Sequence, residues 1–432
     1  MIPPAPSEAR PTAIGRVLVL CGLVAATTAR AEDWPRFRGP DGTGVAENTG
    51  IPDTWTDADY AWVVDLPGEG HGSPVVADAR LSIAYTSSTG RAKGSGLVVL
   101  DVASGSEIWR RTIAFRPAGL HRQNGFASWS PAVGGGLNVV SVADPDGHSV
   151  TGIDLDVIAG ETQPRAWSRD FPGQDSTHGF GSSPAVVTPA PGGTPLAIIP
   201  VDHLGPSRLV ALDAKTGDVV WEAERPAGEK SAYATPLVLR DGAGVPTAVV
   251  ASSSSAGVRA YDVRDGAELW STPPMPARVV ASPILAGDLV IQTCGGGGAG
   301  KALWAIDRDT GEIRHTLKKR LPYVPTPVAY DGHLFLCGDN GVCSCVDLES
   351  FETVWTERVG RGFDASPVVL DGRVFAVDND GVVHVFAASP EFRKIAAVPL
   401  GGPSSATPAY ADGRLFLRTT DRLFCLRGPD VD

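Results

Sequence analysis

The sequence predicts an all-β fold, an eight-bladed β-propeller of four-stranded antiparallel blades, on three signals that repeat in phase along the chain. The first is Ser or Thr before Pro and an apolar run: Ser73-Pro74, Ser130-Pro131, Ser183-Pro184, Thr235-Pro236, Ser282-Pro283, Thr326-Pro327, Ser366-Pro367 and Thr407-Pro408. Successive prolines are 57, 53, 52, 47, 44, 40 and 41 residues apart. A four-stranded propeller blade takes about 40–45 residues, so the later repeats are bare blades and the earlier ones carry loop insertions. The second signal is a turn soon after the proline, Asp331-Gly332, Asp371-Gly372 or Asp412-Gly413, which supplies the positive φ angles of a tight hairpin. The third is an Asp, a Gly-containing turn and then Trp at a fixed spacing: Asp101 to Trp109, Asp213 to Trp221, Asp262 to Trp270 and Asp347 to Trp355. Asp307 to His315 keeps the spacing and loses the Trp, while Asp154 to Trp167 is longer.

Each repeat reads as four short strands. Proline opens the first, where it need not donate to the ladder. The second follows the Asp-Gly turn, the third ends at the Asp and the fourth begins at the Trp. A blade cannot bury both faces alone, so Trp62, Trp109, Trp167, Trp221, Trp270 and Trp355 are expected to wedge between neighbouring sheets. The last repeat supplies three strands before the sequence given stops. Trp62-Val63-Val64-Asp65-Leu66 supplies a fourth without its first three, so the expected propeller domain, 55–432, closes by joining the two. No window carries helical periodicity, which excludes a helical solenoid.

Residues 1–31 read as a signal peptide: Arg10 and Arg16, an apolar run from Val17 to Ala26, then Ala29-Arg30-Ala31. The run is too short for a membrane span. Leu20 before Cys21 disfavours a lipid anchor. Removal of Arg10, Arg16, Arg30 and Glu8 would take the formal net charge from -12 to -14. The mature chain is expected to be periplasmic or secreted and monomeric. Its acidity excludes nucleic acid, whose phosphates need a Lys/Arg surface. Cys294, Cys337, Cys343, Cys345 and Cys425 remain after cleavage and read chiefly as small buried strand residues, though an oxidising compartment permits a disulfide. Residues 32–54 read as an irregular leader packed on the propeller surface.

The element Ala211-Leu212-Asp213-Ala214-Lys215-Thr216-Gly217 to Trp221 resembles the repeat of the pyrroloquinoline-quinone-like propeller superfamily. That superfamily holds quinoprotein dehydrogenases and BamB-type outer-membrane assembly scaffolds. The resemblance runs from about Trp55 to the C-terminus, and Trp34-Pro35-Arg36-Phe37-Arg38-Gly39-Pro40 resembles the opening of secreted propellers of this group. It implies a propeller and is silent on activity. The dehydrogenases hold their quinone over a vicinal disulfide beside a calcium site. This chain has no Cys-Cys pair, since Ser344 separates Cys343 from Cys345. No cofactor is therefore expected, quinone with calcium being the disfavoured alternative.

Catalytic constellations are thin. His71, His121 and His178 lie in connections leading into early blades and read as solvated loop residues, with a rim metal or ligand site as the sharper alternative. Asp144-Pro145-Asp146-Gly147 and Asp378-Asn379-Asp380-Gly381 read as hairpin turns, and the Gly295–Gly298 run as a hairpin loop with no P-loop Gly-Lys-Ser/Thr. The preferred binding face is the mouth built from these connections: His71, Arg122, Asn124, Phe126, Trp129, His178, Phe180, Tyr233, Arg278, Tyr323, Phe363 and Asp364. Aromatic and Arg side chains mixed in this way suit a protein interface, unless the aromatics pack beneath the loops. The expected function is a non-catalytic scaffold that binds envelope proteins. The alternatives are a quinone- or metal-dependent oxidoreductase and recognition of a carbohydrate or other small ligand at the mouth.

Overall fold

The computed structural model describes Met1 and residues 33–87, 94–114, 124–143, 146–154, 165–172, 178–228 and 230–428. Residues 2–31 of the expected signal peptide, His121, Arg122 and Asp144-Pro145 lie outside the described residues. From Asp33 onward the chain forms one compact unit. It is a ring of eight antiparallel blades, spanning 75–114, 132–172, 185–228, 237–271, 284–317, 328–358, 368–399 and 409–427. The eighth takes its outer strand from Tyr60–Asp65, which pairs antiparallel with Arg422–Arg427, Trp62 opposite Cys425. The two ends of the propeller thus share one sheet, which closes the ring.

The inner strands are short, three or four residues, because eight of them converge on the channel. Asp331 and Gly332, Asp371 and Gly372, and Asp412 and Gly413 all have positive φ, as a two-residue type I′ hairpin requires. The Ser/Thr of the anchors has a role beyond opening a strand. Six of the hydroxyls accept the backbone N–H of the preceding anchor: Ser73 donates to Ser130 Oγ, Ser130 to Ser183, Thr235 to Ser282, Ser282 to Thr326, Thr326 to Ser366 and Ser366 to Thr407, at 2.9–3.0 Å. Proline forces the Ser/Thr extended. The hydroxyl then stitches one blade to the next around the channel, satisfying donors that face no strand partner.

The outer rim is held by the tryptophans. Trp62, Trp167, Trp221, Trp270 and Trp355 each donate Nε1–H to a carbonyl in the turn region of the next blade: Val102, Ala214, Val263, Arg308 and Ser389, at 2.8–3.1 Å. Trp109 is 8% exposed in the apolar cluster that blades 1 and 2 share. The rings of Trp62, Trp167, Trp221 and Trp270 lie over Gly105, Gly217, Gly266 and Gly311. A Cβ at Gly217 would sit 2.5 Å from Trp167, and its φ of +75° also favours glycine. The missing Trp of blade 5 has a paired explanation. In blade 6 the turn position corresponding to this glycine is Phe351, with φ +57°, and His315 stacks on its ring at 4.1 Å. A smaller ring meets a larger turn residue, and the junction keeps its contact.

The leader departs from the surface segment expected. Trp34, Arg36 and Arg38 are at most 4% exposed. Trp34 and Val76 of blade 1 exchange backbone hydrogen bonds, and Val133 of blade 2 donates to Pro35 O. Arg36 donates to Pro236 O in blade 4, and Arg38 to Pro327 O and Pro367 O in blades 6 and 7. Val45–Ala46 then adds a parallel strand to blade 7. The leader therefore crosses the channel at the end where the inner hairpins turn, its arginines reaching the anchor carbonyls as spokes. Burial lowers Arg38 to about 9 and Arg36 to about 10. Both stay cationic at neutral pH, solvated by backbone dipoles.

The five cysteines among the described residues are free and buried in strands. Burial raises Cys345 and Cys425 to about 12, so neither is a thiolate nucleophile at neutral pH.

Candidate functional site

With the leader across one end, the central channel becomes a cavity of about 590 Å³ open at the other. Phe37, between the two arginine spokes, lines it from the leader side. All eight Ser/Thr anchors line its wall, since each opens an inner strand. The connections into the blades form the mouth.

Of the residues expected there, His71, Asn124, His178, Tyr233, Arg278, Tyr323 and Asp364 line the cavity together. They come from the connections into seven blades. Arg278 Nη1 lies 3.4 Å from both His178 Nε2 and Tyr323 Oη, tying three connections together. Asn124 donates to the His178 carbonyl at 2.6 Å. Asn379 Oδ1 accepts the Asp364 N–H at 2.9 Å. Asp339, raised by burial, accepts the N–H groups of Tyr323 and Val324 and so fixes the Tyr323 loop. The Asp378–Gly381 segment is the hairpin turn expected, closed by Gly381 N–H to Asp378 O.

Other expected residues pack elsewhere. Trp129 is 1% exposed, and its Nε1–H donates to Ser95 Oγ at 3.0 Å. Phe180 is half-buried against the His148 ring, centroids 5.5 Å apart. Phe363 is fully buried, edge-on to His384. Trp129 and Phe363 are core aromatics beneath the loops, and Phe180 packs half-buried against the cluster that holds Trp129. Phe126 is half-buried and does not line the cavity.

His71 corrects the expectation of a solvated loop histidine. Its Nδ1 is enclosed, and burial beside the charge of Arg418 lowers its pKa to about 4. Arg418 is itself buried and lowered to about 9, and donates to Gly72 O at 2.7 Å. His71 is therefore neutral at physiological pH, a poor imidazolium and a poor general base. The sequence reading missed Phe37, Ser128, Gly297 and Gly298 as lining residues. The glycine run reads as a hairpin loop in the sequence, but nothing local says that this hairpin turns toward the mouth.

Among the described residues the lining offers aromatic faces, hydroxyls, two imidazoles, one guanidinium and a single carboxylate, Asp364, and no thiol. Calcium takes about six to eight oxygen ligands, and this set does not supply the carboxylates for it. Among the described residues no group of three His, Cys, Asp or Glu side chains could hold a metal. The residues present do not fit a calcium–quinone pair. No helix among the described residues is long and apolar enough to cross a membrane.

The chain is 26% identical over 270 residues to outer membrane protein assembly factor BamB of Yersinia pestis, covering 57% of this chain and 66% of that relative. It thus spans just under two thirds of that relative's length. The crystal structure of BamB from Moraxella catarrhalis superposes with TM-score 0.60 at 14% identity, covering 85% of this chain and 99% of that one. Quinohemoprotein alcohol dehydrogenase from Comamonas testosteroni superposes with TM-score 0.64 at 13% identity, covering 91% and 80%. Both structures share the propeller. Residues 56–317 and 314–391 match the pyrroloquinoline-quinone-like family model described as outer membrane protein assembly factor BamB, and the chain belongs to that family.

Proposed function

We propose that the chain acts after export as a non-catalytic scaffold in the cell envelope, holding a protein partner at the open mouth of its channel. One observation carries the reading: Tyr233, Arg278, Tyr323 and His178, from separate blades, converge on a single concave surface. Tyr and Arg are the side chains that most often dominate binding energy, and here they are held by the fold before any partner arrives. Membership of an assembly-factor family supports the same reading. The pocket chemistry supports it too, since the described lining offers aromatic, hydroxyl and guanidinium contact groups.

The test is capture from envelope extracts with the mature chain and with Tyr233→Ala, Arg278→Ala and Tyr323→Ala combined. The triple variant is expected to lose the captured partner while keeping its melting temperature. An unchanged set of partners would remove the mouth from the proposal. A second reading, a small ligand inside the cavity, draws on the volume of about 590 Å³, within the size range of small-molecule sites. The structure's resemblance to quinoprotein dehydrogenases keeps an oxidoreductase in view, and dye-linked dehydrogenase activity on adding quinone and calcium would establish it against the poor fit of the lining.

A further inference from the structure

A second concavity, of about 310 Å³, lies between blades 5 and 6 and shares no lining residue with the channel cavity. Thr316, Leu317, Lys318, Lys319 and Arg320 form one side, from the end of blade 5, and Leu336, Ser344, Val346 and Thr353 of blade 6 form the other. The repeat explains why the junction stays open here. Counting back from the Asp that ends each third strand, the first and third residues are Leu212 and Val210 in blade 3, Tyr261 and Arg259 in blade 4, and Ile306 and Trp304 in blade 5. In blade 6 they are Val346 and Ser344. Side chains this small leave the wall of the junction unfilled.

The charge at this cleft is unusual for so acidic a chain. Lys318, Lys319 and Arg320 are consecutive and exposed, and none forms an ion pair among the described residues. Three neighbouring acids are engaged or turned away. Asp307 and Glu312 both pair with Arg314. Glu357 sits opposite Cys343, and Cys343 packs toward blade 7, so strand alternation puts Glu357 on the far face from Ser344. Hydroxyls complete the set: Ser344 Oγ lies 3.3 Å from Thr356 Oγ1, which in turn lies 3.5 Å from Arg320 Nη1, and Thr316 and Thr353 line the cleft.

We propose that this cleft is a binding site for a phosphoryl group, taken by the three cations and oriented by the hydroxyls of Ser344, Thr316 and Thr353. A phosphate monoester carries about -1.5 to -2 charges at neutral pH, which three uncompensated cations match, and its oxygens accept from both ammonium and hydroxyl donors. The site goes beyond the mouth proposal and does not depend on it.

The test titrates the mature chain with inorganic phosphate and, separately, floats it with phosphatidylglycerol or phosphatidylcholine vesicles. Three variants accompany it: Lys318→Gln/Lys319→Gln/Arg320→Gln, an equal-charge control Lys215→Gln/Arg393→Gln/Lys394→Gln, and Ser344→Phe, which fills the cleft and keeps the cations. The site triple is expected to weaken phosphate binding by about tenfold or more, the loss of charge-assisted hydrogen bonds, while the control does not. Ser344→Phe, checked for fold by circular dichroism, is expected to lose binding as well. Flotation with phosphatidylglycerol that the site triple abolishes would identify a lipid headgroup as the source. Phosphate binding without flotation would identify a soluble phosphate-bearing ligand. Equal loss in site and control triples, or no phosphate binding by the unsubstituted chain, would overturn the proposal.

Discussion

Replacing Trp221 by alanine is expected to lower the unfolding free energy by about 3–5 kcal/mol, the usual loss for a buried tryptophan truncated in a core that cannot collapse. The ring is 6% exposed, its Nε1–H reaches Val263 O at 3.1 Å, and it covers Gly266, where an added Cβ would meet it at 2.5 Å. Truncation removes the apolar wedge between blades 3 and 4 and orphans a carbonyl together. Urea denaturation followed by tryptophan fluorescence and circular dichroism would measure it. The blade 5–6 junction sharpens the point. His315→Trp alone should destabilise, because Phe351 fills the place that glycine leaves free elsewhere, and Phe351→Gly in the same chain should recover part of the loss. Additive effects of the two changes would contradict the pairing.

Acid is expected to destabilise the propeller well above the range where carboxylates titrate. Burial lowers His71 to about 4 and His148 to about 3, and His148 Nε2 lies 2.6 Å from Ser141 Oγ in a closed interior. In the unfolded chain both take a proton near 6.5. Between pH 6.5 and those lowered values the unfolded state binds more protons, so stability falls as pH falls; above about 6.5 neither state is protonated and the contribution is constant. From pH 7 to pH 5 the two histidines together should cost on the order of 4 kcal/mol, since one pH unit is worth about 1.4 kcal/mol per proton. Urea midpoints at pH 7 and pH 5 test this. His148→Gln should remove close to half of the pH dependence, and an unchanged slope would show that the imidazole is not the group that titrates.

The sequence reading reached the architecture because a propeller repeats one unit eight times. Ser/Thr-Pro, Asp-Gly and Asp-to-Trp signals that are weak singly become decisive in phase, and they placed the strand at Trp62 in the last blade. What they did not disclose is how each signal works. The Ser/Thr hydroxyl bonds to a neighbour more than 40 residues away, and the Trp rests on a glycine in the next blade, so neither partner is visible locally. The leader was read as surface because Pro and Gly content implies irregular backbone. Irregular backbone can still be buried when its carbonyls and arginines find partners, as Arg38 does with Pro327 and Pro367.

The mouth was legible to a similar depth. Any residue just before an anchor enters the channel region, which brought Tyr233, Arg278 and Tyr323 together. The same rule could not say which aromatics turn inward. Trp129 and Phe363 each precede an anchor closely and yet fill the junction beneath it, because apolar rings at those positions meet the neighbouring blade before they meet solvent.

Photo-cross-linking in intact envelopes tests the central claim most directly. A benzophenone amino acid placed at Tyr233 or Tyr323 is expected to give a discrete protein adduct, while the same group at Leu269, which is 52% exposed on the outer strand of blade 4, gives none. Adducts from Leu269 with none from either mouth position would contradict the account and move the binding surface to the rim.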